Sequence, residues 1–134
     1  MDNELIKTIE YEKELARVEK VDLVLDGVLM LNIHLEKESG LHQAFGTYQL
    51  SHYDKTLDRQ IGSAQGLDYI LQVLNVFNVD RLEKITGKMC YALYEKPYKP
   101  FSSFIRGIEA LKIDGGKKFT IADWIKQWGL DKND

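Results

Sequence analysis

The residues with the most chemical potential lie late in the chain. Lys96, Lys99 and Arg106 flank the aromatic residues Tyr94, Tyr98, Phe101 and Phe104, and Lys117 and Lys118 follow Gly115-Gly116. An aromatic ring beside a guanidinium or ammonium group can stack a base while the cation holds a phosphate. A solvated loop with ordinary packing uses the same residue types. A second segment, His42-Gln43-Ala44-Phe45-Gly46-Thr47-Tyr48, sets a glycine between two aromatics in a short strand. Glycine there lets another backbone or a ligand approach closely. A third, Arg59-Gln60-Ile61-Gly62-Ser63-Ala64-Gln65-Gly66, opens a helix whose first N–H groups favour an anion. A tight helix–sheet contact accounts for the same glycines without a ligand.

Groups that would transform a substrate are not apparent. His34, His42 and His52 lack metal-ligand spacing, and His34 with Glu36 on one strand face reads as a solvated or cross-strand polar pair. Cys90, flanked by Met89 and Tyr91 in a strand, reads as a small buried hydrophobe. Asp22 and Asp26 sit near strand ends and turns, and no acid–base pair stands out. Neither a phosphate-binding G-x-x-x-x-G-K-[ST] loop nor a G-x-G-x-x-G after a strand is present. The expectation is a binding protein, not an enzyme, with no catalytic residue, metal ligand or cofactor assigned.

Composition narrows the partners. The 134 residues suit one domain, and the net charge of −3 offers no overall basic surplus for duplex DNA. The apolar runs Leu23–Leu25, Val28–Leu31 and Tyr69–Leu71 fall far short of the roughly 18 residues that span a bilayer. The amino terminus is charged, and the single cysteine has no partner for an internal disulfide. A soluble protein of the cytoplasm is expected, without a membrane partner.

The elements that must position these groups follow from periodicity. Residues 1–17 are expected as an arm or short helix, and 18–134 as a single α+β ligand-binding domain. Val21, Leu23 and Leu25 alternate with Lys20, Asp22 and Val24 up to Asp26-Gly27, and Leu29, Leu31, Ile33 and Leu35 alternate with Met30, Asn32, His34 and Glu36 after it, which predicts a hairpin. A third strand is expected at Ala44–His52 and a polar loop at Tyr53–Arg59. Ser63 caps a helix with apolar residues at Leu67, Ile70, Leu71, Leu74 and Phe77. Strands at Lys88–Tyr94 and Phe104–Ile113 follow. A last helix is capped by Thr120 and Asp123, stapled by Phe119 and Trp124, and stopped at Gly129. The predicted order is β-β-β-α-β-β-α: an antiparallel sheet of about five strands with two main helices.

Over roughly residues 18 to 93 the chain resembles the type-one Thoeris anti-defence proteins of phages. The resemblance runs through the opening hairpin, then Gln43-Ala44-Phe45-Gly46-Thr47-Tyr48, where the family tends toward Q-G-F-G-G-Y. It continues in Arg59-x-x-Gly62-Ser63-Ala64-x-Gly66-x-x-x-Ile70, and in Val73 to Val79 leading into Gly87-Lys88. Ala44 and Thr47 depart from the family's glycines. The resemblance implies a sponge that holds a glycocyclic ADP-ribose immune signal without cleaving it, so that the Thoeris effector is not activated in the infected bacterium. It also implies a homodimer or higher homo-oligomer with the pocket at the dimer interface, and in some members further sites for cyclic oligonucleotides. On that reading Phe45, Tyr48 and Tyr91 are candidates for stacking, and Arg59, Arg106 and Lys117 for the pyrophosphate. Gln43, Ser63 and Gln65 are candidates for ribose hydroxyls. The competing readings are a small phage regulator that binds a host protein, a sponge for cyclic oligonucleotides, and an enzyme that degrades the signal.

Overall fold

A computed structural model describes residues 8–99 and 103–130. β1 (Tyr11–Asp26) and β2 (Val28–Lys37) form the hairpin expected around Asp26-Gly27. β1 begins well before Val18. Residues 11–17, expected as an arm or short helix, pair with β6 (Met89–Glu95), with Tyr11 opposite Glu95 and Arg17 opposite Met89. A register shift between Val18 and Lys20 explains why the sequence hides this half of the strand. The extra residue reverses the alternation, so buried Ala16 and Val18 fall out of phase with Val21, Leu23 and Leu25. The expected arm of residues 1–7 lies outside the described residues.

The strand expected at Ala44–His52 is divided in two. β3 (His42–Phe45) pairs with β2, after which Gly46 and Thr47 take positive φ and the chain leaves the ladder. Gly46 is required there, because a Cβ would overlap the Leu31 carbonyl oxygen. β4 (Ser51–Asp54) and β5 (Arg59–Gly62) then pair as a separate hairpin where a polar loop was expected. Its turn is closed by Asp54, whose Oδ1 accepts from Leu57 N at 2.8 Å.

α1 (Ala64–Phe77) starts where Ser63 predicts, with Ser63 Oγ accepting from Gly66 N at 2.9 Å, and ends on Asn78 in the left-handed conformation. β7 (Gly107–Ala110) is shorter than the predicted Phe104–Ile113, and a 3₁₀ turn at Lys112–Asp114 follows it. β8 (Lys118–Thr120) is an additional strand that the sequence pattern does not mark, since three residues are too few to show a period. α2 (Ile121–Gln127) begins on its expected cap, Thr120 Oγ1 accepting from Asp123 N at 3.2 Å.

The molecule is α+β. A six-stranded antiparallel sheet in the order β3-β2-β1-β6-β7-β8 is joined by the small two-stranded sheet and two helices. One face of the large sheet is buried. Val18, Ile33, Leu35, Ala92 and Ile108 meet Tyr69, Val73 and Phe77 of α1 and Trp124 of α2. Each large apolar side chain withdrawn from water in this way contributes about 1.5–3 kcal/mol before entropy is counted. The other face is polar, with Arg17 paired to Glu36 at 2.9 Å and His34 Nε2 to Asp22 Oδ2 at 2.9 Å, the cross-strand pairing expected of His34. Among the described residues no helix is long and apolar enough to cross a membrane.

Candidate functional site

Two of the predicted site residues, distant in sequence, meet at one end of the sheet. Tyr48 lies on the segment that leaves β3, and Arg106 stands immediately before β7, where its N–H donates to Leu93 O at 2.7 Å. Arg106 Nη1 donates to the Tyr48 hydroxyl, and its guanidinium lies 5.7 Å from the centre of the Tyr48 ring. Arg106 Nε donates to Glu95 Oε2 at 3.4 Å. Arg106 Nη2 makes no hydrogen bond among the described residues. Tyr48 in turn packs against Tyr69 and Trp124, so the core fixes the arginine's anchor. Burial pushes the Tyr48 phenol up and the Arg106 charge opposes this, leaving it above its ordinary value, so the hydroxyl that accepts from Arg106 is protonated at neutral pH. The Tyr69 hydroxyl, also buried, has no hydrogen-bond partner among the described residues.

Arg106 faces two adjoining clefts. One, of about 570 Å³, is lined also by Lys126, Ile125 and Leu130. The other, of about 370 Å³, is lined by Glu95, Ser103 and Phe104. Phe104, which lines this cleft together with Arg106, is 77% exposed, an unusual position for a phenylalanine. Each cleft falls in the size range of small-molecule sites.

Gln43 belongs to a different cluster, on the β3 side of the same sheet end. Lys37 is buried, its side chain 2% exposed. Its Nζ donates to Tyr94 Oη at 2.8 Å and Gln43 Oε1 at 3.0 Å, and lies 3.8 Å from Glu14 Oε1. Gln43 Nε2 donates to Ser103 O at 3.0 Å, which ties the cluster to the segment before Arg106. Tyr98 Oη donates to Glu14 Oε1 at 3.1 Å and Ser39 N to Glu14 Oε2 at 3.0 Å. Partial burial would raise the Glu14 carboxyl, but these hydrogen bonds and the Lys37 charge hold it below its ordinary range.

The remaining predicted residues are elsewhere. Phe45 is wholly buried between Tyr69 and Phe119, with ring centres 6.3 and 6.2 Å away, so its faces serve the core and not a ligand. Tyr91 alternates with buried Cys90 and Ala92 and therefore stands on the opposite face of the sheet, with Lys13 Nζ 4.5 Å from its ring centre. Arg59 is exposed on the β4–β5 hairpin and donates to the Gln60 carbonyl at 3.2 Å. Ser63 is occupied as the α1 cap and also donates to Leu50 O at 3.1 Å. A Cβ on Gly66 would overlap that same carbonyl, so the room seen in the sequence at this helix start is filled by the chain itself. Gln65 accepts Trp124 Nε1 on its carbonyl at 2.9 Å, a packing role. Exposed Lys117 donates to Asn75 Oδ1 at 3.1 Å, joining the turn before β8 to α1.

No family model, curated protein or solved structure matches the chain. Among the described residues, no group of three or more His, Cys, Asp or Glu is placed to hold a metal ion. Cys90 is fully buried and its thiol is pushed up to about 12 by that burial, which keeps it protonated and unreactive.

Proposed function

We propose that this chain binds a cyclic ADP-ribose-type signal and sequesters it without cleaving it. The observation that carries this reading is the Arg106 centre. A guanidinium is anchored by Tyr48 and Glu95 with Nη2 left over, next to the exposed ring of Phe104. Nη2, with Lys126 across the larger cleft, supplies donors for a pyrophosphate, and the Phe104 ring stacks the adenine. Anchoring the arginine beforehand reduces the ordering cost of binding, as a sponge requires. The resemblance to the type-one Thoeris anti-defence proteins supplies the ligand class; the residues at the centre supply the means of holding it.

Calorimetric titration of three variants with glycocyclic ADP-ribose tests the assignment. Arg106→Ala and Phe104→Ala should each weaken binding at least about tenfold, the loss expected for one charged hydrogen bond or one stacked base. Arg59→Ala should change affinity less than about twofold, since Arg59 stands on the small sheet, with no hydrogen bond to the Arg106 centre. Full affinity in the Arg106 and Phe104 variants would remove this site from the account.

A second reading, binding of a host protein, is favoured by the exposed Leu23 and Leu25 of β1 and Leu67 and Leu71 of α1. Co-purification of a host protein without bound nucleotide would support it over the sponge.

A further inference from the structure

β1 outruns one of its neighbours. Residues 11–17 pair with β6 and Val18 with Gly87 and Lys88, but residues 20–26 are hydrogen-bonded to β2 alone. Along the other edge of this segment the outward backbone N–H and C=O groups meet no partner among the described residues. The core face of the sheet continues onto it. Leu23 and Leu25 stand opposite Leu31 and Leu29, yet Leu31 is buried while Leu23 is 51% and Leu25 66% exposed. Unpaired backbone groups beside uncovered leucines form a template for another strand. We infer that residues 20–26 pair antiparallel with the same residues of a second copy of this chain, about a twofold axis at Leu23.

The charges of the segment select this partner and this register. Both apolar faces stay on one side of the joined sheet only when residues of like phase oppose each other. With the axis at Leu23, Val21 opposes the partner's Leu25 and Lys20 opposes the partner's Asp26, and the symmetry repeats both contacts. Asp26 has no cationic partner among the described residues, and Lys20 is exposed, 3.5 Å from Asp22. Asp22, held by His34 of its own chain at 2.9 Å, faces the partner's Val24. An axis at Asp22 would set Asp22 on the partner's Asp22, and one at Val24 would set it on the partner's Asp26, each a clash of like charges. At Val21 or Leu25 the axis would set Leu23 on the partner's Glu19 or Gly27, and its apolar match is lost. The segment lies at the opposite end of β1 from Tyr11, which pairs with Glu95, and shares no residue with the clefts at Arg106.

Sedimentation velocity of the full chain over a dilution series tests the pairing, with two charge-reversed variants, Lys20→Glu and Asp26→Lys, and their equimolar mixture. The parent should dimerise. Each variant alone should dimerise at least about tenfold more weakly, because two opposed pairs turn from attraction to repulsion. In the mixture a Lys20→Glu chain meets an Asp26→Lys chain with both pairs complementary, so dimerisation should return to within about threefold of the parent. Recovery on mixing also separates loss of contact from loss of fold, since misfolded chains would not recover. The inference is overturned by a parent that stays monomeric, by variants that dimerise as well as the parent, or by a mixture no stronger than either variant alone. None of these outcomes bears on the Arg106 centre, which glycocyclic ADP-ribose tests separately.

Discussion

Lys37 continues the buried alternation of Leu31, Ile33 and Leu35 on β2, and this placement explains much about the site. A charge on the core face is tolerated only when it is paired and hydrogen-bonded, and Tyr94, Gln43 and Glu14 meet that need. The signal for this cluster was in the sequence, as a lysine at an apolar phase. Its partners were not, because Glu14 and Tyr94 come together only through the β1–β6 register. Arg106 and Tyr48 were legible as residue types, but their meeting depends on the chain turning out of β3 at Gly46. Phe45 misled for the opposite reason: an aromatic next to a glycine signals close approach, and what approaches is the protein's own backbone. A pH dependence follows from Glu14. A carboxyl depressed in the folded state contributes stability that is complete above its unfolded value, about 4.5, and is lost as pH falls through the lower folded value. Urea unfolding from neutral pH into the acid range should show Glu14→Gln less stable than the parent at neutral pH, with the difference closing below about pH 4.5. A gap that stayed constant with pH would mean that the carboxylate charge is not what stabilises the network.

At the scale of elements, the helices were the most legible parts. Ser63 and Thr120 mark their starts by hydrogen bonds that involve only neighbouring residues. Strand limits were less so. The bulge near Glu19 reverses the phase of β1, and β8 is held by pairing with β7, not by any pattern of its own. α1 is also positioned by a contact that periodicity cannot reveal, the approach of Gly66 to the Leu50 carbonyl. Gly66→Ala should destabilise the protein by roughly 1–3 kcal/mol, since the added methyl must displace backbone. Gly62→Ala should be close to neutral, because a Cβ there meets nothing within 4 Å and the backbone is not left-handed. Denaturation midpoints of the two variants measure the contrast. Equal midpoints would show that α1 can shift away from Leu50 at little cost.

At the scale of the whole molecule, the sheet divides its labour. Its middle is sealed by α1 and α2, while the end formed by β1, β6 and the segment before β7 carries the polar clusters and clefts. Hydrophobic alternation made the α+β class readable, but this end is charged and aromatic, and such residues follow no period that betrays their neighbours. The central claim is retention of the ligand without chemistry. Its most direct test is to saturate the protein with glycocyclic ADP-ribose, remove free ligand, incubate, denature by heat and chromatograph what is released. The account predicts recovery of the intact cyclic molecule in proportion to the protein's binding sites. Recovery of a linear or hydrolysed product, or no retained ligand at all, would contradict it.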